Sequence, residues 1–199
     1  MLKLFYQGHG SVRMETPEGK IIYLDPYAGE GYDLPADLIL VTHGHYDHTG
    51  FDRIERRNEG CEVITYEDAN VDGVHKSYDL GFVKVEAVEA ENKNHPITDG
   101  VGYILTFSNE KQLYFTGDSS TTKQMATFAE RKLDYAFFCC DGIYNMDREE
   151  ASKCAELVGA KYSVPYHIKP GGVFDRELAE EFHAAGRVIV EAGQTLEIE

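Results

Sequence analysis

The chain has 199 residues, 42% of them apolar, and a formal net charge of −16. That length and composition describe one globular domain over residues 1–199 with a sizeable core, and exclude a disordered chain. No apolar run approaches the ~20 residues that cross a bilayer, and so acidic a balance makes phosphate backbones and anionic membranes poor partners.

The opening MLKLFYQGHG lacks the long apolar region of a secretory leader, so a cytoplasmic protein is expected. LKLFY at 2–6 and GKIIYLDPY at 19–27 read as strands ended by turn residues. DLILVTH at 37–43 is a short apolar run with a polar end, as a buried strand has. A helix is expected at 51–58 and a strand, CEVIT, at 61–65. GFVKVEAVEA at 81–90 alternates apolar and polar residues and predicts a half-exposed strand. VGYILTF and KQLYFTGD then form a hairpin turning at residues 108–110.

The second half alternates helix and strand. A helix is expected at 121–132 and a strand at 134–140. A further helix starts near Asp147, with Glu150 three residues on as in a capping box, and stops at Gly159. YSVPYH at 162–167 is a strand, DRELAEEFHAAG at 175–186 a helix, and RVIVE and TLEI two closing strands. Strands interleaved with helices and paired by short turns imply a layered α/β (α+β) architecture. The cysteines, Cys61, Cys139, Cys140 and Cys154, form no CxxC pair and read as reduced, mostly buried thiols.

The strongest chemical signal is THGHYDHTG, residues 42–50. His43, His45, Asp47 and His48 follow a buried strand directly. Residues two apart in extended backbone project to one side, so His43 and His45 can share an ion. Asp47 and His48, past a bend, can face a second. Imidazole and carboxylate are the usual ligands of a catalytic zinc. Two ions need more donors, and His95, Asp118 and His167 each stand just past the end of a predicted strand. Spacing alone leaves each of these three open.

With those residues in view, the chain resembles the metallo-β-lactamase superfamily along nearly its whole length, from YLDPY through VPYHIKP. THGHYDHTG matches that family's HxHxDH signature, and Asp118 in TGDSS and His167 follow in the family's order. It is similar in particular to compact metal-dependent hydrolases that resemble L-ascorbate-6-phosphate lactonase. An early Gly8-His9-Gly10-Ser11 turn, the LDPY segment and Gly142-Ile143-Tyr144-Asn145-Met146 carry that likeness, although GHGS replaces the commoner GHS spacing. The resemblance implies a four-layer αββα sandwich. It also implies that His43, His45 and His95 hold one ion, that Asp47, His48 and His167 hold the other, and that Asp118 bridges both. Asp25 would support the metal loop from beneath without being a ligand.

The implied activity is hydrolysis of a small ester, lactone or phosphate ester by a metal-bridging hydroxide, with Asp47 and Asp118 as the catalytic carboxylates. Zinc is the first expectation for both ions, with manganese or iron as alternatives. His9, Tyr144 and Asn145 are expected to face the substrate, with Lys169 a weaker candidate; His75 and His183 read as structural. The partner is a small molecule, with no nucleic acid and no membrane, and a homo-oligomer is compatible with the sequence. Two other activities fit the same donors: a phosphodiesterase or nuclease, and an iron-dependent oxidoreductase.

Overall fold

The computed structural model describes residues 1–199. In chain order the strands are β1 (Leu2–Gly8), β2 (Ser11–Glu15), β3 (Ile21–Leu24), β4 (Ala36–Leu40), β5 (Arg57–Ile64), β6 (Asn70–Val71) and β7 (Val74–His75). They continue with β8 (Ser77–Asp79), β9 (Val83–Glu89), β10 (Val101–Phe107), β11 (Gln112–Phe115), β12 (Tyr135–Cys139), β13 (Tyr162–Tyr166) and β14 (Thr195–Ile198). Helices α1 (Tyr66–Ala69), α2 (Arg148–Val158) and α3 (Arg176–Glu180) lie among them.

Two six-stranded sheets result, ordered β14-β1-β2-β3-β4-β5 and β13-β12-β11-β10-β9-β8. Their period-2 patterns explain how they pack. Ile22, Leu24, Leu38 and Leu40 of the first sheet join Val85, Tyr103, Leu105 and Phe115 of the second in one buried cluster. The alternate residues Ile21, Tyr23 and Ile39 bury against Tyr32 and Ile54 in a smaller cluster on the other side of the first sheet. Each fully buried side chain of this size contributes ~1.5–3 kcal/mol. Helix α2 lies against β12 and covers the second sheet. The αββα order is therefore present, but loops and a single 3₁₀ turn at Phe51–Arg53 form most of the cover on the first sheet.

Several helices fall short of expectation. Residues 51–58 make only that 3₁₀ turn, because Arg57 onward is drawn into β5 by parallel pairing with β4. Residues 121–132 form a 3₁₀ helix, Gln124–Arg131, whose first turn is tied to Glu89 through Gln124 and which ends at the left-handed Lys132. Helix α3 stops at Glu180, well before Gly186. There the Arg187 guanidinium takes the carbonyls of Glu180 and Phe182, and Phe182 turns inward beside Phe138. RVIVE makes no strand; one bridge joins Arg187 to Ser163. Helix α2 behaves as expected at both ends. Asp147 accepts from the Glu150 amide and Gly159 is left-handed, while the Glu150 carboxylate serves Thr121 rather than closing the capping box. All four cysteines are free, and burial pushes Cys140 up to about 12 and Cys139 well above the usual thiol range. No helix is long and apolar enough to cross a membrane.

Candidate metal centre

The donor-type residues stand in segments that follow strands of both sheets. His9 follows β1, Asp25 follows β3, and His43 to His48 follow β4. His95 lies in the loop after β9, Asp118 is three residues past β11, and His167 follows β13. The two sheets are joined here: Val101 donates its amide to the Thr42 carbonyl at 2.8 Å, and His43 pairs with Gly100.

Asp118 occupies the middle. Its Oδ2 lies 3.7 Å from His43 Nε2, and its Oδ1 lies 3.5 Å from His48 Nε2 and 3.3 Å from His167 Nε2. Two groups of potential ligands form, with donor atoms within 4.8 Å of one another: His43, His45 and Asp118, and His9, Asp47, His48 and His167. His95 is close to the first group but turned aside. Its ring lies 5.3 Å from that of His43, and Asn92 Nδ2 lies 3.2 Å from its Nε2.

Two carboxylates orient the rings from behind. Asp25 is fully buried and accepts from the Thr42 amide at 2.8 Å and the Thr42 hydroxyl at 2.7 Å. Having given its proton to Asp25, the Thr42 oxygen can only accept from His43 Nδ1, 3.0 Å away. That places the His43 proton on Nδ1 and turns the Nε2 lone pair toward Asp118. Asp25 Oδ2 also lies 2.8 Å from His48 Nδ1 and favours the same tautomer there. Asp141 stands 3.5 Å from His167 Nδ1. Its own carboxylate is fixed by the amides of Ile143 and Tyr144 and by Asn145 Nδ2, each at 2.7 Å. Asp141 escaped the sequence reading although it carries the same signal as Asp118, a carboxylate just past an apolar strand.

His9 is only 4% exposed and belongs to the donor cluster itself. Its Nε2 donates to Asp47 Oδ2 at 3.1 Å, and its ring lies 3.8 Å from that of His167. A β-carbon at Gly10 would lie 2.8 Å from the His48 ring, which accounts for the glycine that splits His9 from Ser11. His9, Asp25 and His167 all adopt left-handed backbone, with φ of 52°, 46° and 47°. Such strain costs ~1–3 kcal/mol per residue. It is held by bonds from the His9 amide to Val173, from the His167 amide to the His9 carbonyl, and from Ser11 Oγ to the Asp25 carbonyl.

Asn145 is buried and bonded to Asn92 and Asp141, whereas Tyr144 is exposed at the rim. With His9, His45, Tyr46, Asp47 and Asn94, Tyr144 lines a cleft of about 660 Å3 over the donors. Lys169 turns away from this cleft to pair with Asp175 at 2.8 Å.

The electrostatics favour cations. Burial lowers His43 to about 2, and burial also lowers His95 and His167. Burial alone would lower His48 too, but the Asp118 and Asp25 carboxylates raise it to about 9. Burial works against ionised Asp118, yet His167, His48 and His43 pull it far below the usual carboxylate range. For Asp47, burial is likewise outweighed by the His9 bond and by His48, which lower it to about 2. The Nε2 atoms of His43, His48 and His167 and Oδ1 of Asp118 are buried with no hydrogen-bond partner. Orphaned atoms of this kind are rare in folded proteins, and divalent cations held among these donors would satisfy them.

Relatives carry the same architecture. The Beta-lactamase superfamily domain matches residues 3–167. A UPF0173 metal-dependent hydrolase of Geobacillus thermodenitrificans is 33% identical, over 83% of this chain and 85% of its own. One from Bacillus thuringiensis is 29% identical over 98% of this chain and 99% of its own. The crystal structure of a putative metal-dependent hydrolase from Parabacteroides distasonis superposes with a TM-score of 0.79 at 28% identity, covering 97% of this chain and 94% of that one. With its two packed sheets and its cluster of histidines and aspartates at their shared edge, the chain belongs to the metallo-β-lactamase superfamily, among the UPF0173 metal-dependent hydrolases.

Proposed function

We propose that this chain, acting as one domain, is a dinuclear hydrolase of a small ester, lactone or phosphate ester, with zinc as its metal. The observation that carries this reading is the set of buried, unpartnered ring nitrogens around Asp118. His43, His45 and His95 would hold one ion, Asp47, His48 and His167 the other, and Asp118 would serve both. Divalent ions in such a site supply Lewis acidity, lowering the pKa of water and stabilising negative charge on a substrate oxygen.

The chain's own groups do the positioning. His9 fixes the Asp47 carboxylate through Oδ2 and so sets how it faces the neighbouring donors. Asn92 and Asn145 brace the loop beside Asp118. Tyr46 and Tyr144, both exposed, border the entrance and offer ring faces to an apolar part of the substrate.

Metal analysis of the protein as isolated, combined with a panel of p-nitrophenyl esters, lactones and phosphate esters, tests this. Two ions per chain are expected, with hydrolysis lost in both His43→Ala and Asp118→Ala. Full activity in both variants would sink the proposal. Iron at the site with an iron-linked optical spectrum would turn it toward redox chemistry.

A further inference from the structure

Beside the cleft above the donors lies a side lobe of about 210 Å3. His9, Tyr46, Asp47 and Gly171 line both, so the two cavities adjoin along these residues. The main cleft is lined by no Lys or Arg. The side lobe is lined by one, Arg53, together with Tyr27, Ala28 and Val173.

Arg53 is built into this position. Its guanidinium lies 5.1 Å over the ring of Tyr32, and one N–H is donated to the Gly29 carbonyl. Tyr32 is itself fixed, donating to the Ala28 carbonyl and accepting the Tyr27 amide. Gly29 is left-handed at φ 67°, and a β-carbon there would stand 1.8 Å from the Gln7 carbonyl oxygen, so only glycine presents that carbonyl to Arg53. The ion pairs of the molecule engage Arg13, Arg131, Arg148 and Arg176; Arg53, like Arg56, Arg57 and Arg187, has no carboxylate partner, and it alone of these four lines the lobe. A guanidinium has five N–H donors, so most of its hydrogen-bonding capacity remains.

We propose that the side lobe is an anion subsite in which Arg53 binds a carboxylate at the far end of the substrate. This rests on the hydrolase reading above and narrows it: the scissile ester or lactone carbonyl sits over the donors, and a short apolar tether runs past Tyr27 to the acid. One planar guanidinium matches the two oxygens of a carboxylate. A phosphate dianion would lack a second cation and would face Asp47 across the shared wall.

Calorimetry on the metal-loaded protein tests the subsite without turnover, using valerate, glutarate and 4-phosphonobutyrate. The wild type should bind glutarate at least about tenfold more tightly than valerate, the scale of a charge-assisted hydrogen-bonded pair. Arg53→Ala should erase that gain while valerate affinity and metal content stay unchanged, and Arg53→Gln provides a second variant if the alanine form folds poorly. No gain in the wild type, or an equal gain in the variants, overturns the proposal. A larger gain for 4-phosphonobutyrate overturns the choice of carboxylate. In turnover, Arg53→Ala should raise KM for mono-p-nitrophenyl glutarate about 10–100-fold and leave p-nitrophenyl valerate unaffected. A wild type that cleaves neither ester counts against the hydrolase reading, and the binding comparison still decides the subsite.

Discussion

The two donor groups at the sheet edge are not built alike. Around Asp47, His48 and His167 nearly every ring is buried and backed by a carboxylate or another ring: Asp25 behind His48, Asp141 behind His167, His9 against Asp47. Around His43 and His45 the arrangement is looser. His45 is exposed, and His95 is turned toward Asn92. One half is preformed by the fold, whereas in the proposed two-ion site the other would have to gather His95. A preformed site loses less ordering entropy on binding, so the two ions should differ in affinity, the tighter one lying with His48 and His167.

Asp118 is the residue the halves have in common, and its replacement gives the largest expected effect. Asp118→Ala should lower kcat/KM by on the order of 10^4-fold and reduce metal content below one ion per chain; retention of one full-affinity ion would show that the halves are independent. Next comes the brace. Asp25→Ala strands the Thr42 amide and hydroxyl and His48 Nδ1 in the interior, and should cost roughly 3–5 kcal/mol in a denaturant titration. A much smaller loss would mean that the preformed half does not depend on its backing. His9→Gln, which keeps a donor for Asp47, should bind both ions nearly as the wild type does. His9→Ala should weaken the tighter ion about 10–100-fold and spare the other, as read by chelator competition. Equal weakening of both ions in His9→Ala would contradict the asymmetry.

The smallest effect is a dependence on pH. His48 is raised to about 9 in the metal-free cluster by Asp118 and Asp25, after burial has pulled it down. An ion needs the uncharged ring, so below about pH 9 a proton competes with it. Apparent affinity for the His48-side ion should climb by up to about tenfold per pH unit and level off above about 9. Calorimetry in buffers of different ionisation heat should register close to one proton released per ion at neutral pH. Absence of proton release would place that ion away from His48.

The sequence disclosed the donors far better than their surroundings. Candidate donors show where strand ends are legible: an apolar run marks β4, with His43 three residues past it, and Asp118 lies three residues past β11. The supporting contacts show poorly because they depend on tertiary approach. Nothing local to CCDGIYN says that Asp141 will meet His167. His9 is expected from the sequence to face the substrate, yet its place among the donors depends on an amide bond to Val173, far along the chain. The helices overread at 121–132 and 175–186 have good local propensity, which lost to the burial of Met125, Phe128 and Phe182. The unread strand SVRME, β2, alternates well but is too short and charged to stand out before its neighbours pair with it.

The joint between the sheets at Thr42 and Val101 has a mechanical consequence. The donors run from His9 to His167 and belong to both sheets, so an ion held between them acts as a clasp across the sandwich, closing chain loops far longer than any hairpin. Like a crosslink, such a clasp places its free energy on the folded side alone. Stripping the ions with a chelator should therefore loosen the sheet edge that carries the chemistry before it disturbs the far edge, where β14 closes against β1.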